Sequence, residues 1–122
     1  MIKLSDAVDC FPGAWGEDGP DENLSPMLVL GVGNVTNDGR IKLEGATNRY
    51  LNKSQTYAIA QQDDLLVVKS SGSAQNIRSG KTAICPPELD GKVACSNFMM
   101  RLVPRRNVVE PFLLWAFLNS EV

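Results

Sequence analysis

Leu65 to Val68 is an apolar block of four branched side chains in a row, and a polar stretch follows at once and runs to Lys81. An unbroken apolar run this short, bounded by polar residues, predicts a strand buried on both faces. Met27 to Val35 is a further apolar segment and predicts a centrally placed strand. Asn37-Asp38-Gly39 supplies turn chemistry after it. Arg40 to Leu43 then alternates, so a short hairpin strand is expected with Ile41 and Leu43 inward and Arg40 and Lys42 outward. Tyr57 to Ile59 predicts a short strand, and Gln61 to Asp64 the turn that leads into Leu65. Thr82 to Cys85 predicts another strand, stopped by Pro86-Pro87. After the Asp90-Gly91 turn, Lys92 to Ser96 and Phe98 to Val103 predict a strand pair, or one long strand bent at Asn97.

Helical signals are confined to the ends. Leu4 to Cys10 predicts one or two turns, with Ser5 as cap and Leu4, Ala7 and Val8 on one face. Pro111 suits a first helical turn, and Phe112 to Leu118 is apolar almost all round. A helix with so little polar face must pack against the body or a partner, because alone it is unstable in water. Core is the plain expectation; the alternative is that part of this face meets a neighbouring element or chain. Residues 11–26, crowded with Gly, Pro, Asp and Glu, are expected to form an irregular acidic loop anchored by Trp15, and residues 45–56 a loop with a helical turn. The fold class is α+β, a mixed α/β chain. It is expected as a single globular domain over residues 1–122, with a twisted, mostly antiparallel sheet or partial barrel, a short N-terminal helix and a C-terminal helix.

Composition narrows the function. At 122 residues the chain supports one core. Its longest apolar runs are far too short to span a bilayer, and no basic segment followed by an apolar core opens the sequence, so the expected compartment is the cytoplasm. There is no histidine, which removes Ser–His and Cys–His nucleophilic schemes within the chain. Cys10, Cys85 and Cys95 lack the close spacing of zinc sites and are expected as free, mostly buried thiols; no metal or cofactor is expected. Gly31-Val32-Gly33 lacks the third glycine, lysine and helix of a phosphate loop, so close backbone approach is the expected role of those glycines. Adjacent Asp63 and Asp64 point to opposite faces if both lie on a strand, a poor acid–base pair.

The formal net charge of −2 and pI near 5.0 argue against a nucleic-acid partner until the charges are located. Residues 1–25 hold one lysine against six acids, a balance of −5, and the remainder holds eleven Lys/Arg against eight acids, a balance of +3. The acidic segment at 17–22 is expected to lie away from any phosphate. The stretch after Val68 concentrates the matching chemistry, with Lys69, Ser70, Ser71, Gly72, Ser73, Asn76, Arg78 and Lys81 in one loop. Lysine and arginine pair with phosphate or guanine, serine and asparagine bond base edges or phosphates, and glycine lets the backbone come close. Arg40, Lys42, Arg49 and Lys53 form a second rank of cations. Arg101, Arg105 and Arg106 are further candidates to face DNA or a partner.

Several segments together resemble a target recognition domain of the specificity subunit of type I restriction–modification enzymes. They are Lys3-Leu4-Ser5-Asp6-Ala7-Val8, Gly33-Asn34-Val35 with Asp38-Gly39-Arg40-Ile41, and Asp64 to Val68 running into Ser70-Ser71-Gly72-Ser73. Gly80-Lys81-Thr82-Ala83-Ile84, Ser96-Asn97-Phe98 with Arg101-Leu102, and Pro111-Phe112-Leu113 complete the order. The resemblance implies a non-catalytic reader of one part of a bipartite double-stranded DNA site. It implies partner methyltransferase (modification) subunits and a restriction/translocase subunit that do the chemistry. The family's long spacer helices are not matched, so the expectation is a fragment of a longer subunit. Two alternatives stand beside it: the same kind of domain in a single-chain methyltransferase–nuclease, and a non-catalytic protein-interaction module whose Ser/Gly loop binds an acidic peptide.

Overall fold

The computed structural model describes residues 4–19, 24–68 and 81–120. Among them are seven strands: β1 (Val8–Pro12), β2 (Ser25–Leu30), β3 (Thr47–Leu51), β4 (Leu65–Val68), β5 (Thr82–Ile84), β6 (Val93–Cys95) and β7 (Met99–Pro104). Helix α1 (Leu4–Ala7) precedes β1, helix α2 (Pro111–Asn119) follows β7, and short 3-10 segments lie at Val32–Asn34, Lys53–Ala58 and Pro87–Leu89. A four-stranded antiparallel sheet has the order β1-β7-β4-β5, and a three-stranded sheet the order β3-β2-β6 with β2 and β6 parallel. Neither sheet closes on itself, so this is a small α+β domain of two sheets and not a barrel.

β4 explains the layering. All four of its residues are buried, and the two-residue period of a strand divides them between two cores. Leu66 and Val68 join Leu30, Val35, Val93, Cys95 and Met99 between the sheets. Leu65 and Val67 join Val8, Ile84, Leu102 and Leu114 on the opposite face, beneath α2. Each fully buried Leu or Val contributes about 1.5–3 kcal/mol of transfer free energy, enough to fix this strand at the centre. A third cluster, Ala14, Val29, Leu51, Ala58 and Ala94, packs the outer side of the three-stranded sheet.

Several expectations change. Met27 to Val35 yields a strand only to Leu30, after which Asn34 folds the chain into a turn: its Oδ1 accepts from Gly31 N–H at 2.8 Å and its Nδ2 donates to Lys42 O at 2.7 Å and Glu44 O at 3.0 Å. Those carbonyls are thereby taken from any ladder, and residues 40–43 form a single bridge, Val35 with Ile41, leaving Leu43 exposed. Gly31 and Gly33 admit no close backbone neighbour; the glycines that do are Gly13 against Ser96 O, Gly16 against Tyr50 O and Gly39, at φ +80, against Thr82 O. The Leu4 to Cys10 helix stops at Ala7, where β1 begins, and residues 47–51 form an edge strand within the predicted loop. Tyr57 to Ile59 is the end of a 3-10 segment and one bridge, Ile59 with Ala94. β6 and β7 do not pair; the turn at Asn97 carries the chain from one sheet to the other. Trp15 is 41% exposed, with the Arg49 guanidinium stacked 4.5 Å over its ring.

Helix α2 has Pro111 in its first turn, and the Glu110 carboxylate accepts from Leu113 N–H at 2.9 Å. The expectation of core holds for one side only. Pro111 and Leu114 are buried and Trp115 and Leu118 partly so, whereas Phe112, Leu113 and Phe117 are 57%, 69% and 63% exposed. Beside Leu118 an apolar groove of about 490 Å³ runs over Val8, Cys10, Val67, Met100 and Leu102. No helix among the described residues is long and apolar enough to cross a membrane.

Candidate nucleic-acid interface

Strand registers define one end of the domain. Val68 N–H donates to Lys81 O at 3.0 Å, and Val67 pairs with Thr82, so the two residues that flank 69–80 lie side by side. Lys69, Ser70, Ser71, Gly72, Ser73, Asn76 and Arg78 belong to that segment and lie outside the described residues. Val68 also pairs with Met99, which brings the exposed Asn97 and Phe98 to the same end. Ser96 N–H donates to Leu30 O at 3.0 Å, which adds the end of β2 and the turn after it.

The hairpin around Gly39 reaches this end through α2. Within it, Thr36 N–H donates to Arg40 O at 2.9 Å, Arg40 N–H donates to Thr36 Oγ1 at 2.9 Å, and the Thr36 hydroxyl bonds the Asp38 carboxylate. That hydroxyl holds the Asp38 carboxyl below its ordinary pKa, with Arg40 adding a smaller effect. Trp115 Nε1–H donates to both Gly39 O at 2.9 Å and Thr82 O at 3.1 Å. Asn119 Nδ2 donates to Thr82 O at 2.9 Å, and Asn119 Oδ1 accepts from Thr82 N–H at 3.2 Å. Hairpin tip and strand start are thus held on one indole and one amide.

The candidate cations therefore separate. Arg40 is exposed, 5.8 Å over the Trp115 ring and beside Gly39, and Lys81 sits at the root of the loop. Lys42 lies further along the hairpin with Glu44 at 3.8 Å. Arg49 faces inward: its Nε donates to Trp15 O at 2.9 Å, its Nη2 to Gly16 O at 3.0 Å and its Nη1 to Asp18 at 2.6 Å. It fastens the acidic loop to β3. Lys53 follows Leu51, which pairs with Ser25 at the start of β2, so it stands at the opposite end from the loop root.

The arginines of β7 and the turn after it also point elsewhere. Arg101 is buried against Asp64 at 2.6 Å, donates to Tyr57 O at 2.9 Å and lies 5.1 Å over the Phe11 ring. Arg105 pairs with Asp9 and Arg106 with Asp63, both at 2.7 Å and both at the far end of the four-stranded sheet. The Arg105 hydrogen bond holds the Asp9 carboxyl below its ordinary pKa. Burial pushes the Cys85 and Cys95 thiols up to about 12, and for Cys85 the Asp64, Asp90 and Asp63 carboxylates add to it, so neither is a thiolate at neutral pH. No group of three or more His, Cys, Asp or Glu side chains among the described residues could hold a metal ion.

Sequence reasoning missed Trp115 and Asn119. In the sequence Trp115 is one apolar residue among seven and Asn119 simply follows the last of them. Their partners Gly39 and Thr82 are 76 and 37 positions away respectively, so no local pattern announces them.

The fold is similar to that in the crystal structure of the HsdS subunit from Thermoanaerobacter tengcongensis, with a TM-score of 0.59 at 15% sequence identity. The likeness covers 96% of this chain and 26% of that one, so the chain spans about a quarter of the subunit's length. No protein-family profile and no curated protein matches the sequence.

Proposed function

We propose that this chain is a target recognition domain of a type I restriction–modification specificity subunit and reads part of a double-stranded DNA site. The observation that carries the reading is the structural likeness to an HsdS subunit over 96% of the chain. The ordered motifs of the sequence and the gathering of Arg40, Lys81 and the root of the 69–80 loop at one end support it. In this reading the domain does no chemistry. It supplies cations to phosphates and side-chain amides and hydroxyls to base edges, which positions the methyltransferase and the restriction/translocase subunits on their site.

Fluorescence anisotropy with a mixed-sequence duplex tests it. Binding at low salt is expected, with a logarithmic salt slope of roughly −3 to −5 for about three to six phosphate contacts. The triple variant Lys69→Ala, Arg78→Ala, Lys81→Ala should flatten that slope. A folded wild-type domain that binds no duplex at low salt, or binds with affinity indifferent to these residues, would sink the proposal.

A further inference from the structure

The joint between α2 and the candidate interface is built from unusually specific contacts for a helix whose other side is exposed. A single donor, Trp115 Nε1–H, serves two carbonyls from segments far apart in sequence. Gly39 O and Thr82 O therefore cannot be farther apart than the sum of 2.9 and 3.1 Å. Asn119 doubles the attachment at Thr82 by accepting from its N–H and donating to its carbonyl. Its Nδ2 also donates to Trp115 O at 3.1 Å, which ties the two helix side chains together. Gly39 is required there: a Cβ would stand 2.8 Å from both Asn119 Nδ2 and Trp115 Nε1 and 2.9 Å from Thr82 O.

The same indole carries the Arg40 guanidinium over its ring, and Phe112 meets that ring edge-on at 6.4 Å and 86°. A cation over an aromatic face gains electrostatically and loses rotamer freedom, so Arg40 has a held direction and not a free swing. Lys81 precedes Thr82, so its backbone is held by the same clamp through one peptide bond and by the Val68 N–H bond to its carbonyl. Packing alone does not demand this arrangement, since a leucine at position 115 would fill apolar space without donating to either carbonyl.

We infer that Trp115 and Asn119 are positioning residues for DNA binding: they lock the hairpin tip bearing Arg40 to the start of β5 bearing Lys81, so that the two cations meet the duplex as one rigid unit. This rests on the DNA-binding reading above. It adds that binding is set in part by two uncharged side chains of the C-terminal helix that never touch DNA. Preorganisation is the physical reason, because a cation already held in place loses less freedom when it meets a phosphate.

The test is a double-mutant cycle read by duplex titration across salt concentrations. Trp115→Phe keeps the ring and removes the donor, and Asn119→Ala opens the second clamp if the first variant folds poorly. Each is first checked by thermal melting and then crossed with Arg40→Ala, with Lys92→Ala at the far end of β6 as the control. The expected result is a folded Trp115→Phe protein that binds more weakly and whose salt slope is shallower by about one contact. It should lose little more in the Arg40→Ala background and its full effect in the Lys92→Ala background. A folded Trp115→Phe or Asn119→Ala domain that binds as tightly as wild type overturns the inference and leaves the DNA reading standing, as does an equal loss in both backgrounds. A wild-type domain that binds no duplex overturns the DNA reading and this inference with it.

Discussion

Replacing Arg101 by methionine tests whether this arginine is part of the fold or part of the interface. Its side chain is 10% exposed and that of Asp64 4%, at 2.6 Å, so both charges have left water. Asp64 Oδ2 also accepts from Gln61 N–H at 2.8 Å. Methionine keeps most of the apolar stem and removes the charge, stranding a buried carboxylate and the Tyr57 carbonyl. Breaking a buried pair from one side costs about 3–5 kcal/mol, because the remaining charge is uncompensated. That is a large share of the roughly 5–15 kcal/mol that holds a domain of this size. At a few degrees per kcal/mol, Tm should fall by about 10–20 °C. Adding Asp64→Asn neutralises the stranded charge while keeping an acceptor for Gln61, and should recover about half of the loss. Urea titration of the four proteins of this cycle reads both numbers. A single-variant cost below about 1 kcal/mol, or no relief from Asp64→Asn, would refute the reasoning. Where Arg101→Met remains folded its salt slope for duplex should equal wild type, since the guanidinium faces Tyr57 and Phe11 and not solvent.

Gly39→Ala should lower stability by about 1–3 kcal/mol in a melting experiment, because the position combines φ +80 with a clash against the Trp115–Asn119 clamp. Gly33→Ala, with nothing within 4 Å of the added carbon, should stay within about 0.5 kcal/mol. Of the three cysteines, only the exposed Cys10 should react with maleimide in the folded protein, and all three after unfolding, as counted by mass spectrometry. Because Cys85 and Cys95 stay protonated up to about 12 in the fold and ionise near the ordinary thiol value of about 8.5 when unfolded, their contribution is complete below that value. It is lost as pH rises toward 12, so the urea midpoint should fall over that window more steeply in wild type than in Cys85→Ala/Cys95→Ala.

What could be read from the sequence follows burial. β4 announced itself because both its faces are covered, and β5 and α2 stood out through apolar content and flanking prolines. β1 and β3 did not, because both are edge strands held by ladders more than by side chains. Thr47–Leu51 carries Asn48, Arg49 and Tyr50 and buries only Leu51, a pattern shared with loops. The alternation at Arg40 to Leu43 misled for another reason: only Ile41 turns inward, and the buried Asn34 side chain takes the Lys42 and Glu44 carbonyls a partner strand would need. For the candidate interface, residue types were visible and directions were not. Arg49 looks like any surface cation until Trp15 O and Gly16 O, over thirty positions away, are seen to receive its guanidinium.

Direction also decides what the acidic pI means. Arg49, Arg101, Arg105 and Arg106 are each closed onto a carboxylate at 2.6–2.7 Å, and a phosphate would have to break such a pair to engage them. Apart from the buried Arg101–Asp64 pair, such ion pairs contribute little to stability, but they do cancel charge locally. The Arg105–Asp9 and Arg106–Asp63 pairs lie beyond the far end of β7, whose six residues span roughly 20 Å at about 3.3 Å each. That is more than two Debye lengths of about 8 Å at physiological salt, so carboxylates there barely repel a duplex at the loop root. In the proposed reading, Arg40 and Lys81 would engage phosphate through a few direct contacts and not through a long-range field. A lone domain of this kind should therefore bind weakly and lose affinity steeply with salt, and firm recognition would come from joining it to a second reading domain whose binding becomes intramolecular.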